Sequence, residues 1–111
     1  MNIKYLAIMA LVLSPCMASG WKIDPVTLEI RFENHHFTPQ TLTVPAGTPI
    51  ELKVTNASAE RIEFESFKLN REKVVDPGAS ATVRLPALKA GSYDFFDDFH
   101  SDVPEGAIVA K

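Results

Sequence analysis

Sulfur is scarce in this chain of 111 residues, and all of it lies near one end. The single cysteine, Cys16, and the three methionines, Met1, Met9 and Met17, fall inside a stretch that reads as a secretory signal peptide, residues 1–20. There Lys4 supplies a positive start, and Tyr5 to Leu13 form an apolar run too short to span a bilayer. Ala18, Ser19 and Gly20 are small enough for a cleavage site, which makes residues 21–111 the expected domain, with Trp21 at its start. A lipoprotein signal is the rival reading because Cys16 follows the apolar run, but Pro15 directly before it suits lipidation badly. Without the leader the chain has no disulfide and no sulfur ligand, although it is bound for an oxidising compartment. Thiol nucleophiles, redox dithiols and thiolate copper sites are thereby excluded. Any metal must be held by histidine, carboxylate or backbone oxygen.

Excess positive charge is missing too. Eleven Lys and Arg stand against fourteen Asp and Glu, for a formal net charge of -3, which argues against nucleic acid or an anionic membrane surface as partner. After the leader no apolar run is long enough for stable membrane insertion. No stretch keeps a helical period over ten or more residues, and there is no internal repeat, linker or low-complexity tract. No nucleophile-elbow or zinc-protease pattern supports a hydrolase.

What the chain does have is alternation. Val26, Leu28, Ile30 and Phe32 alternate with Thr27, Glu29, Arg31 and Glu33, the period of a half-buried strand. Asn34-His35-His36-Phe37-Thr38-Pro39 breaks it, and Thr41-Leu42-Thr43-Val44 gives a short strand closed by Pro45-Ala46-Gly47-Thr48. Ile50, Leu52 and Val54 form the next strand, and Ile62 to Phe67 another. A less regular segment follows from Lys68 to Lys73, then Val74-Val75 and the turn Asp76-Pro77-Gly78. Ala81, Val83 and Leu85, then Tyr93 to Phe96, then Ala107 to Ala110 complete the set. The fold expected is all-β, an antiparallel β-sandwich of seven to eight strands.

One stretch asks for more than packing. Between Ser92 and Gly106, Phe95, Phe96 and Phe99 stand among Asp94, Asp97, Asp98, Asp102 and Glu105, with His100 and no basic residue. Acid beside aromatic surface is costly to pack unless a positive group arrives, and a metal ion is the candidate. The plainer alternative is a solvated acidic turn whose phenylalanines plug the core.

Taken together, Phe37-Thr38-Pro39, Leu42-Thr43-Val44-Pro45-Ala46-Gly47, Val54-Thr55-Asn56, Asp76-Pro77-Gly78, Gly91-Ser92-Tyr93-Asp94-Phe95 and Gly106-Ala107-Ile108-Val109 resemble the cupredoxins in order and spacing. The resemblance implies a Greek-key sandwich with a metal at one end. Its ligands would come from the strand after the Thr-Asn loop and from the loop before the last strand. Here that loop reads Asp97-Asp98-Phe99-His100, with Asp97 where the family's cysteine stands and Glu105 near the methionine position. Arg61-Ile62-Glu63-Phe64-Glu65 occupies the place of the usual first histidine. These departures speak against blue-copper electron transfer. Glu63-Phe64-Glu65-Ser66, Arg71-Glu72-Lys73-Val74-Val75 and Phe95-Phe96 ahead of Phe99-His100 are similar to a smaller subgroup, the periplasmic cupredoxin-like proteins of FtrB and EfeO type that accompany high-affinity iron permeases. That likeness implies copper (non-blue) or iron binding in the periplasm, iron-permease components as partners, and a part in ferrous iron uptake by Fe(II) oxidation or electron relay. A non-enzymatic copper carrier and a metal-free protein-docking sandwich stand as the alternatives.

His100 is the first candidate ligand, since an imidazole suits a borderline metal and lies in the loop where this fold gathers ligands. His35 and His36 would point to opposite faces of a continued strand, so one of them can face the site; His35 matches the subgroup's His-x-Phe-x-Pro pattern. Glu63 and Glu65 share one face of a strand, about 7 Å apart, as ligands or as a solvent-facing polar stripe. Asp97 and Asp98 compete for one role, ligand or turn former. Arg61, Arg71 and Lys73 would neutralise whichever carboxylate binds no metal. Asp102 and Glu105 are further acids that could hold Fe(II) beside the first metal.

Overall fold

The computed structural model describes residues 23–111. The expected signal peptide and the expected domain start at Trp21 lie outside the described residues. Within them the chain is all strand and connection, nine strands in two facing sheets. β1 (Val26–Glu33), β2 (His36–Thr38), β4 (Ile50–Asn56) and β7 (Ser80–Leu85) form a four-stranded sheet in the order β2-β1-β4-β7. β3 (Thr41–Val44), β9 (Gly106–Ala110), β8 (Gly91–Asp97), β5 (Ile62–Ser66) and β6 (Arg71–Val75) form the other, in the order β3-β9-β8-β5-β6.

The period-two reading places most of these strands, and three differences have physical causes. The break at Asn34 is a two-residue hairpin turn, with Asn34 and His35 at φ of 55° and 63°. Such a turn matches the twist of its flanking strands, so His36–Thr38 returns along β1 as a strand of its own. The irregular segment expected up to Lys73 is strand from Arg71 onward, paired with β5 in the register Glu65↔Glu72. It lies at a sheet edge and is exposed along most of its length, so its sequence carries no apolar alternation. Finally, the sandwich is not wholly antiparallel. β1 runs parallel to β4, and β3 parallel to β9, because the chain leaves the first sheet after β2 and joins the second at β3.

The core lies between the sheets, and its centre is aromatic. Phe32 meets Phe37 edge to face at 5.2 Å, Phe37 meets Phe95 at 5.1 Å, and Phe95 stacks on Phe64 at 5.1 Å. All four are fully buried, and they join β1 and β2 of one sheet to β8 and β5 of the other. Pairs at these separations add about 0.5–1.5 kcal/mol each beyond area burial. Of the three phenylalanines in the acidic stretch, only Phe95 plugs this core. Phe96 is half-buried and Phe99 is exposed.

Two residues hold the backbone around the column. Gly106 leaves room for Phe95: a Cβ there would strike the Phe95 ring and come within 2.6 Å of the Gln40 carbonyl oxygen. Asn56 is buried and fully bonded, donating to the carbonyls of Glu60 (2.6 Å) and Val75 (3.0 Å) and accepting from the Ser58 amide and hydroxyl. It thereby pins the loop between β4 and β5. Gly106→Ala is expected to destabilise the domain by about 1–3 kcal/mol through overpacking, read as a lower midpoint in denaturant unfolding.

Candidate metal centre

At one end of the sandwich the turn between β1 and β2 approaches the loop that joins β8 to β9. His35 occupies the turn and His100 the loop, their ring centroids 5.7 Å apart and steeply inclined. His35 also packs its ring edge against Phe32, at 6.4 Å, so the aromatic column continues into the histidine pair. The left-handed backbone at His35 is open to histidine more than to most side chains, and it places the imidazole at the hairpin tip.

His100 is positioned by Asp97, whose side chain has no exposed surface. One Asp97 oxygen accepts from the amides of Glu63 and Phe99, each at 3.0 Å. The other accepts from His100 Nδ1 at 2.6 Å. The backbone tightens the same turn, His100 N to the Asp97 carbonyl at 3.2 Å and Val103 N to the His100 carbonyl at 3.1 Å, with buried Val103 as the anchor. His100 Nε2 faces Glu60 Oε1 at 3.1 Å, and His35 Nε2 faces Asp102 Oδ2 at 2.9 Å.

The protonation of these groups follows. The hydrogen bond to Asp97 raises the His100 pKa above its ordinary 6.5, against a smaller opposing effect of burial, with Asp97, Glu60 and Asp102 adding to the rise by charge. The hydrogen bond from His35 holds the Asp102 carboxyl below its usual range.

Glu63 and Glu65 form a second grouping, on the outward face of β5. With Glu72 of β6 they bring carboxylate oxygens within 4.8 Å of one another. Partial burial raises the Glu63 pKa first, then repulsion from Glu72, Glu65 and Asp98. Glu65 is raised likewise, by desolvation, then Asp98 and Glu72. The expected neutralising cations go elsewhere. Arg61 pairs with Asp76 at 3.0 Å, and Arg71 donates to the carbonyls of Arg84, Leu69 and Asn70. Lys73 stands in register with core-facing Phe64, so it belongs to the opposite face.

Of the candidates read from sequence, the fold thus brings His35 and His100 together, with Asp97 behind His100. Glu63, Glu65 and Asp98 form the acidic group beside them. His36 is exposed and donates from Nδ1 to the Asn34 carbonyl at 2.9 Å, taking no part in the pair. Asp97 has both oxygens engaged by protein donors, which makes it an orienting group for His100. Glu60 and Glu72 were not singled out from sequence. Asn56-x-Ser58, a local hydrogen-bonding turn that fixes the Glu60 backbone, is the signal that could have found the first; the second required knowing that β6 is a strand.

The chain belongs to the cupredoxin-like domain family, whose model matches residues 4–110. It is 36% identical over 109 residues to an uncharacterized protein of Rickettsia prowazekii (strain Madrid E), covering 98% of this chain and 87% of that one. Among solved structures it is similar to auracyanin A, a "blue" copper protein of Chloroflexus aurantiacus, with a TM-score of 0.65 and 18% identity over 79% of this chain and 100% of the other. It is also similar to the metal binding domain of the Cu(I) exporting P-type ATPase CopA of Streptococcus pneumoniae, solved with Cu(I) (TM-score 0.63, 13% identity, 82% and 99% covered). At these identities the likeness carries the fold.

The donor chemistry decides which copper site fits. Among the described residues there is no cysteine or methionine, so a thiolate or thioether set does not fit. A set of imidazole nitrogens with carboxylate oxygens suits Cu(II). His100 fits it best, since a carboxylate on Nδ1 fixes the tautomer that presents Nε2 to a metal. His35 Nε2, Glu60 and Asp102 are the donors beside it.

Two outcomes are expected. The stabilisation that protonated His100 contributes is full below the unfolded imidazole value and is lost as pH rises through the higher folded value. Denaturant unfolding followed from below the ordinary imidazole value to well above it should show this fall, and Asp97→Asn should flatten it and bring the His100 pKa down in an NMR titration. Glu72→Gln, by relieving the repulsion on Glu63 and Glu65, should raise the melting temperature at neutral pH and low salt, with the gain fading as salt is added.

Proposed function

We propose that this domain binds copper in a non-blue site built on His100 and His35 and serves ferrous iron uptake in the periplasm. The observation that carries the reading is His100 itself, with Nδ1 tied to a buried carboxylate, Nε2 facing Glu60, and the His35 ring beside it. Bound copper would supply a one-electron couple, and oxygen donors in place of thiolate would lower its potential. The protein's part is to hold the imidazole in one tautomer, to keep Asp97 out of water, and to set carboxylates around the exposed nitrogen.

Iron enters this reading as substrate. Glu63, Glu65 and Glu72 are hard oxygen donors close to one another, and such donors favour Fe(III) over Fe(II). The similarity of Glu63-Phe64-Glu65-Ser66 and Phe99-His100 to the permease-associated subgroup supports an iron-permease component as partner and Fe(II) oxidation as the chemistry. A copper carrier would share the histidine site but not the turnover.

A Cu(II) titration followed by electron paramagnetic resonance tests the site. One tight site with nitrogen and oxygen ligation and no blue thiolate absorption is expected. His100→Ala should abolish it, and Asp97→Asn should weaken it by about 10–100-fold. Affinity should also fall as pH drops through the raised His100 pKa, because protons compete for Nε2. Absence of saturable binding overturns the copper reading. With copper loaded, catalytic oxygen consumption on adding Fe(II) supports the oxidase, and stoichiometric binding without turnover supports the carrier.

A further inference from the structure

The outward face of the five-stranded sheet carries apolar surface that the core does not use. Phe67, at the start of the β5–β6 turn, is 76% exposed, and Val74 of β6 is 43% exposed. Phe67 lies edge-on to the half-buried Phe96 of β8, ring centroids 5.2 Å apart. Between them opens a cleft of about 320 Å³ that also touches Lys68, Asp94 and Glu105. This cleft shares Phe67 with a second hollow, bounded by Glu65, Asn70 and Glu72. It shares Phe96 and Glu105 with a third, which reaches Asp98 and His100. Three neighbouring hollows therefore follow one another in a strip from Glu72, across the two phenylalanines, to the histidine loop.

Its charge is predominantly negative. Glu65, Glu72, Asp94, Asp98 and Glu105 border it against two cations, Lys68 and Arg71, both held by backbone carbonyls. Lys68 Nζ donates to the Ser92 carbonyl at 3.3 Å, and the Arg71 guanidinium is bonded to three carbonyls. Exposed aromatic surface rimmed by an excess of acid is the complement of an apolar side chain flanked by cations. An anionic lipid surface would be repelled by that rim. A second copy meeting the same face would set acid against acid.

We propose that this strip docks a partner protein through an extended cationic segment. An apolar side chain of that segment fills the cleft between Phe67 and Phe96, and its lysine or arginine groups meet Glu65, Glu72, Asp94 and Glu105. A partner so placed ends beside His100, within the reach of the loop that carries the histidine. Docking needs no metal, so its failure and that of the copper reading are separate results.

The test uses the full chain, labelled with 15N and treated with EDTA, and a blocked peptide Gly-Lys-Phe-Lys-Gly-Lys-Gly as probe. Saturable amide shifts are expected at Phe67, Lys68, Phe96 and Asp98. Phe67→Ser, at an exposed site where the fold is not at stake, should weaken binding by about tenfold or more. Raising NaCl from about 50 to 300 mM should weaken it severalfold by screening. Glu72→Gln should weaken it less. The proposal is overturned if no shift saturates, if a peptide with glutamate for lysine binds as well, or if shifts spread to distant acids such as Asp24, Glu29 and Glu51. It is equally overturned if vesicles of anionic lipid, or self-association on raising protein concentration, produce the same Phe67-dependent shifts.

Discussion

A carboxylate removed from water loses solvation worth several kcal/mol unless protein donors replace it. Asp97 meets that demand with two backbone amides on one oxygen and an imidazole on the other. Each bond reaches a different part of the chain: β5, the turn after β8, and the His100 ring. The side chain that satisfies its own burial therefore also fixes where the last loop leaves the sheet. The Asp98 amide, donating to the Glu63 carbonyl at 2.9 Å, keeps that exit in register. Without Asp97 the imidazole would have neither a fixed tautomer nor a fixed place.

The carboxylates at this end of the molecule fall into two populations. Asp97, Asp102 and Glu60 each face an imidazole nitrogen and sit where positive charge is already accommodated. Glu63, Glu65 and Glu72 face one another, and their repulsion is relieved only by protons, by salt or by an arriving cation. The first population orients, and the second stores unfavourable charge on an open face. Both the substrate reading and the docking strip draw on the second arrangement.

Much of this was legible in the sequence. Alternation placed β1, β4 and β7 because each buries one face against the core, which leaves a period of two, whereas β9 showed only as a short apolar run. β6 escaped because an edge strand exposed along most of its length has no such period. The Asn34-His35 turn escaped because a histidine at positive φ is uncommon, and the pair of histidines drew attention to ligation before backbone conformation. His35 and His100 could be named from chemistry, whereas their approach depends on a hairpin in one sheet meeting a loop of the other. The role of Asp97 could not be read from its position in the loop. A short acidic residue three before a histidine looks alike whether it binds a cation or its neighbour's imidazole, and only its burial separates the two.

His35 sits on a hairpin turn of the four-stranded sheet and His100 on a loop of the five-stranded one. A cation held by both imidazoles would therefore be a clasp across the sandwich, and by linkage its affinity and the closure of the two layers are one free energy seen from two sides. At a hundredfold excess over Kd such a clasp would add about 2.7 kcal/mol to the folded state. The same reciprocity runs backward: whatever pries the hairpin from the loop, a competing partner included, would also set the ion free.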